Sequence, residues 1–106
     1  MNVEFEEINN KLYVKLSGEL DHHSMLQERN RIEMKLSTNT LRDIVFDLNG
    51  LNFMDSSGIS LIYSAHKIAE EFEQEVTVLC ENEKFLKILT LAGMKKFVRI
   101  VNGREC

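Results

Sequence analysis

Residues 55 to 58, Asp55-Ser56-Ser57-Gly58, set a carboxylate, two hydroxyls and a glycine where an apolar stretch gives way to a helical pattern. Two kinds of chemistry suit such a group. The side chains can cap the helix by accepting hydrogen bonds from first-turn amides that no intrahelical carbonyl serves, the commonest use of Asp and Ser at this place. Alternatively one serine reacts, either as a nucleophile or as the acceptor of a phosphoryl group. A nucleophilic serine needs a base within hydrogen-bond reach and an acid behind that base. His66 lies ten residues further along the same helix, about 15 Å along its axis, which is too far. The residue two before Ser56 is Met54, so the G-x-S-x-G elbow of many hydrolases is missing. His22 and His23 are adjacent, so their side chains diverge in any regular element, and no i, i+4 ligand joins them. They are expected to be a solvated pair at a helix entrance. No catalytic residue and no metal site is expected.

A phosphate on Ser56 would bring about −1.5 to −2 charges beside exposed amides and the positive end of a helix dipole, an interaction worth about 0.3 to 1 kcal/mol, up to ~2. The fold should survive it. A partner docked on that surface would meet a desolvated dianion near Asp55, and like charges across an interface cost several kcal/mol. Counting by threes and fours from Ser56 gives Ile59, Ser60, Tyr63 and Lys67, a row mostly off the apolar stripe of the helix. Ile59 and Tyr63 either dock a partner protein or pack at the rim of the core.

The elements that position this group are legible in outline. Val3-Glu4-Phe5-Glu6 and Leu12 to Leu16 alternate, and Asn9-Asn10 between them suits a tight reversal, so the chain should open with a hairpin. Met25, Ile32 and Leu36 predict a helix from Ser24 to Leu36, although Glu28 and Arg29 interrupt its stripe where a large apolar side chain is expected. Ile44 to Leu48 reads as a central strand covered on both faces. Gly58, Leu61, Ile62, Ala65, Ile68, Ala69 and Phe72 then fall on one face of a helix from about Ser57 to Glu73. Val76 to Cys80 predicts another strand, Asn82 a cap for a helix carrying Phe85, Leu86, Leu89 and Ala92 with Gly93 near its end, and Phe97 to Val101 a last strand. Met25 and Met54 read as core filler. The order ββαβαβαβ implies an α/β fold, a small mixed, mostly parallel sheet with packed helices and the first strand antiparallel at its edge. Without proline, linker or repeat, residues 1 to 106 are expected to form a single domain.

Thirteen basic against seventeen acidic residues give a net charge of −4, the wrong sign for a nucleic-acid partner. No apolar run approaches the roughly 20 residues needed to cross a bilayer, and the start of the chain lacks the features of a signal peptide. A cytoplasmic protein without membrane contact is expected. Cys80 and Cys106 lack C-x-x-C spacing and read as reduced thiols.

Three segments, SGELDHHS at 17 to 24, DIVFDLNGLNFMDSSGIS at 43 to 60 and LTLAGMKKFVRI at 89 to 100, resemble the STAS domain of bacterial anti-sigma factor antagonists, the sporulation-type antagonists in particular. The resemblance runs over nearly the whole chain. It implies the STAS fold and a partner-switching role: the unmodified protein binds an anti-sigma factor that is an ATP-dependent serine kinase, so releasing a sigma factor. The kinase phosphorylates the first serine of D-S-S-G, here Ser56, which breaks the complex, and a metal-dependent serine phosphatase restores it. ATP and magnesium belong to the partner, and no cofactor of this domain is implied. On the same resemblance Asp55 and Ser57 shape and cap the turn, Gly58 permits close approach, and Asp21 faces the kinase from a turn made by Gly18 and Glu19. Ile59, Ser60 and Tyr63 complete the expected partner-binding surface. The alternative is a non-switching STAS scaffold or small-ligand sensor in a larger signalling assembly. Three departures stand out. FEQEV at 72 to 76 lacks the usual glycine pair, Glu28 and Arg29 replace apolar residues, and the terminal helix of many members is expected to be short or absent.

Overall fold

The computed structural model describes residues 1 to 104. Strands β1 (Asn2–Ile8) and β2 (Lys11–Leu20) lead into helix α1 (His22–Thr38), followed by β3 (Asp43–Met54), α2 (Ser57–Glu71), β4 (Glu75–Leu79), α3 (Glu83–Leu91), a 3-10 turn at Met94–Lys96 and β5 (Arg99–Val101). The expected order of elements is met. Asn9 and Asn10 take φ of 52° and 64°, so a two-residue reversal with left-handed backbone at both positions, which Asn tolerates, joins β1 to β2.

The strands lie in chain order across the sheet, β1 antiparallel to β2 and every later neighbour parallel. Each parallel connection therefore steps in the same direction. Right-handed crossovers that always step the same way place all three helices over one face. Burial follows: in β2 Leu12, Val14 and Leu16 are buried while Lys11, Tyr13 and Lys15 are partly exposed. The register sets Leu12 beside Ile44 and Val76, and Val14 beside Phe46 and Val78, giving a continuous apolar layer under the helices. Ile32, Leu36, Leu61, Ile62, Ala65, Ala69 and Leu89 close over it. Each of these leucines and isoleucines, fully removed from water, contributes about 1.5 to 3 kcal/mol. Met25 and Met54 belong to this core.

Several expectations need correction. β3 does not stop near Leu48 but runs on to Met54, pairing with Ser17 to Leu20 through two register shifts. Gly50 makes this possible, because a Cβ there would lie 2.8 Å from the Leu16 carbonyl oxygen and 3.0 Å from Ser17 Cβ. Gly18 and Glu19 form no turn; they lie within β2 at an irregularity where Gly18 adopts φ +85°. Helix α1 begins at His22, not Ser24. Phe72 is not on the buried face of α2 but caps its end, half exposed. β5 begins at Arg99, with Phe97 exposed ahead of it. The readings of Cys106 and of a terminal helix lie outside the described residues.

The two polar departures also have physical accounts. Arg29 Nε donates to Glu33 Oε2 (3.2 Å), Ser64 of α2 donates its hydroxyl to the same carboxylate, and Arg29 Nη2 reaches Ser64 Oγ at 3.5 Å. A polar bridge thus joins α1 to α2 where an apolar contact was expected. Glu28 pairs with Arg31, which also donates to the Val3 carbonyl (3.1 Å) and lies 5.0 Å above the Phe5 ring. At the end of α2, Glu73 N–H donates to Glu70 O and Gln74 N–H to Ala69 O, the paired bonds of a Schellman ending. Its left-handed position is held by Glu73 at φ 56°, where glycine is the usual residue.

Candidate functional site

Helix α2 begins where β3 leaves the sheet. Asp55 N–H donates to the Leu20 carbonyl (3.2 Å), which ties this junction to the end of β2, and Asp55 Oδ1 accepts from Ser57 N–H at 2.8 Å. That bond satisfies an amide which the helix itself cannot serve. Ser56 occupies the cap position with helical backbone angles (φ −64°, ψ −12°), and its carbonyl accepts from Ile59 and Ser60. Its side chain does no capping. Ser56 Oγ is exposed and makes no hydrogen bond among the described residues. The expectation that the serine side chains cap the helix is thus corrected: Asp55 alone of the three caps through its side chain, while Ser57 is buried in the first turn. Gly58 provides the close approach expected of it, since a Cβ there would stand 2.6 Å from Met54 Cγ and Sδ.

Asp21 sits at the neighbouring strand exit, one residue beyond the Leu20 carbonyl that receives Asp55 N–H. It caps α1 reciprocally with Ser24: Asp21 Oδ1 accepts from Ser24 N–H (2.9 Å) and Ser24 Oγ accepts from Asp21 N–H (3.0 Å). The Ser24 amide holds the Asp21 carboxyl below the ordinary carboxylate range, helped by the Ser24 hydroxyl and His23. This capping role was not read from the sequence, although the D-x-x-S spacing carries it.

Along α2, Ser60, Tyr63 and Lys67 are exposed with Ser56, whereas Ile59 is half-buried against the core. The two residues of uncertain role therefore part: Ile59 packs at the core rim and Tyr63 faces solvent. The Tyr63 ring meets Phe97 edge-on at 5.2 Å, and the His66 ring lies tilted at 5.3 Å from Phe97 while reaching Glu70 Oε2 at 3.4 Å. This aromatic group was not foreseen. Nor was Phe53, exposed beside a groove formed by Asn52–Met54 and the start of α3. In that second region Asn82 caps as expected, accepting from Lys84 and Phe85 amides. His22 and His23 are exposed in the first turn of α1, and among the described residues no histidine hydrogen-bonds to Ser56. Burial pushes the Cys80 thiol up from its usual value, which leaves it protonated. The arrangement can present one unencumbered hydroxyl at a helix start, flanked by a carboxylate.

The STAS domain family profile matches residues 2 to 105. An anti-sigma F factor antagonist from Paenibacillus polymyxa is 32% identical over 103 residues, covering 97% of this chain and 88% of the relative. An anti-sigma-B factor antagonist from Staphylococcus aureus is 26% identical over 107 residues, covering 99% and 98%. Among solved structures, the unphosphorylated anti-sigma factor antagonist SpoIIAA superposes with a TM-score of 0.79 at 24% identity, over 94% of this chain and 88% of that one. SpoIIAA in its phosphorylated form, a Bacillus cell fate determinant, gives 0.72 at 24% identity over 94% and 91%. No helix among the described residues is long and apolar enough to cross a membrane.

Proposed function

The chain belongs to the STAS domain family, and on that premise we propose that it is an anti-sigma factor antagonist whose binding is switched off by phosphorylation of Ser56. The partner is an anti-sigma factor that is also a serine kinase, bound by the unmodified protein so that a sigma factor is released. A metal-dependent serine phosphatase resets the switch. One observation carries this: the Ser56 hydroxyl is exposed and uncommitted while Asp55 does the capping beside it. Loading Ser56 therefore breaks no bond of the fold. The phosphate instead gains about 0.3 to 1 kcal/mol, up to ~2, from the exposed amides and dipole of α2.

The docking surface is made of Asp21, Asp55, Ser57, Gly58, Ile59, Ser60 and Tyr63, all carried on the strand exits and the first two turns of α2. Ser57, Gly58 and Ile59 shape it from below, and Asp21, Ser60 and Tyr63 meet the partner. A dianion added next to Asp55 on this surface costs several kcal/mol once desolvated, and about 1.4 kcal/mol is already tenfold in affinity. Binding is lost while the fold is kept. ATP, magnesium and the base that takes the Ser56 proton come from the kinase.

The test is incubation with the co-encoded anti-sigma factor and ATP, with the modified residue mapped by mass spectrometry. Wild type should gain one phosphate on Ser56 and Ser56→Ala none. Ser56→Asp should bind the kinase at least about tenfold more weakly with little change in melting temperature. Equal phosphate on wild type and Ser56→Ala would remove the assignment.

A further inference from the structure

The cations of this chain are segregated. Of its thirteen basic and seventeen acidic residues, five basic and one acidic fall between residues 82 and 100, so this stretch carries +4 and the rest of the chain −8. Their environment differs as well. Lys15, Arg29, Arg31, Arg42, Lys67 and Arg104 each reach a carboxylate. Lys84, Lys87, Lys95 and Lys96 are exposed and reach none among the described residues. In α3, Lys84 and Lys87 share the outward stripe with Leu91, which is 78% exposed, opposite the buried Phe85 and Leu89. Four unpaired ammonium groups on α3 and the 3-10 turn, on a protein otherwise acidic, form a local positive field.

This field borders the Ser56 surface twice. Lys84 lines the groove that holds Phe53 and Met54, immediately before Asp55. Phe97, the residue after Lys96, sets its ring against Tyr63 of the docking row. We propose that α3 and the 3-10 turn form a second contact for the anti-sigma factor, which meets Lys84, Lys87, Lys95 and Lys96 with an acidic surface of its own. This rests on the function proposed above. Without these four lysines the chain would carry nine basic against seventeen acidic residues, a net charge of −8, and would repel an acidic partner at long range.

The test is stopped-flow association of the unphosphorylated protein with the co-encoded anti-sigma factor at rising ionic strength, where the Debye length falls from ~30 Å at about 0.01 M to ~8 Å at 0.15 M. Wild-type association at low salt should exceed that of K84Q/K87Q/K95Q/K96Q by about 10- to 100-fold, with similar dissociation rates and convergence at high salt. The pairs K84Q/K87Q and K95Q/K96Q should each lose part of the rate, and their melting temperatures report that the fold is intact. A control lacking four cations elsewhere, K11Q/K35Q/R42Q/R104Q, should associate near the wild-type rate. No binding by wild type overturns both the proposed function and this contact. Binding with an association rate indifferent to the four lysines, or equally slowed in the control, overturns this contact alone. So does a set of lysines that governs only sedimentation with phosphatidylserine vesicles or self-association.

Discussion

Replacing Glu73 by glycine should stabilise the protein, which is unusual for a change that deletes a whole side chain. Glu73 holds the left-handed position of the Schellman ending of α2 at φ 56°. An L-residue pays roughly 1 to 2 kcal/mol there, whereas glycine avoids this but gives up about 0.5 to 1 kcal/mol more chain entropy on folding. The backbone gain is thus about 0.5 to 1 kcal/mol. A second contribution comes from charge: Glu73 is an anion at the negative end of the helix dipole, near Glu70, Glu71 and Glu75 in sequence, and removing it should return about 0.3 to 1 kcal/mol at low salt. Together the gain is about 1 to 2 kcal/mol, with each kcal/mol worth about 4 to 8 °C in melting temperature for a domain near this size. Glu73→Ala separates the two parts, because it loses the charge but keeps the backbone penalty. Thermal melts at low salt and at about 1 M, where the Debye length is ~3 Å, read them apart. Glycine should remain above alanine at both, and alanine should exceed wild type only at low salt. Equal melting of the glycine and alanine variants would refute the backbone account.

Three other perturbations probe the site and its supports. Asp55→Ala removes the acceptor of Ser57 N–H and should cost about 1 kcal/mol by denaturant titration, as loss of a helix cap does. Asp21 has its carboxyl depressed by the Ser24 amide, so its stabilisation is complete above the ordinary carboxylate value and is lost as pH falls through the lower folded value. The stability gap between wild type and Asp21→Ala should therefore be constant near neutrality, narrow below about pH 4 and close in stronger acid, as followed by melts across that range. Gly50→Ala forces a methyl against the Leu16 carbonyl oxygen and Ser17 and should cost about 1 to 3 kcal/mol, read from its denaturation midpoint.

Periodicity made α2 legible, because Leu61, Ile62, Ala65 and Ala69 repeat at helical spacing and are buried in that order. Local turn chemistry did the same for the Asn9-Asn10 reversal and the Asn82 cap. The second half of β3 was hidden. Asn49, Gly50 and Asn52 read as loop, and only the pairing with an irregular β2 makes a strand of them. Arg29 looked, with Glu28, like a break in the stripe because Ser64, the partner it shares with Glu33, lies 35 residues away. The meeting of Tyr63, His66 and Phe97 is invisible for the same reason. At the site, the D-S-S-G residue types were informative, but which side chain caps and which stays unbonded depends on the helical backbone of Ser56, a feature no composition rule supplies.

The chain-order arrangement of the strands bears on how the protein is made. A sheet whose every strand lies beside its predecessor never has to hold a vacancy for a later arrival, so the β1–β2 ribbon can close as soon as Leu20 clears the ribosome and each subsequent strand adds to a finished edge. Ser56 consequently leaves the ribosome ahead of α3 and its lysines.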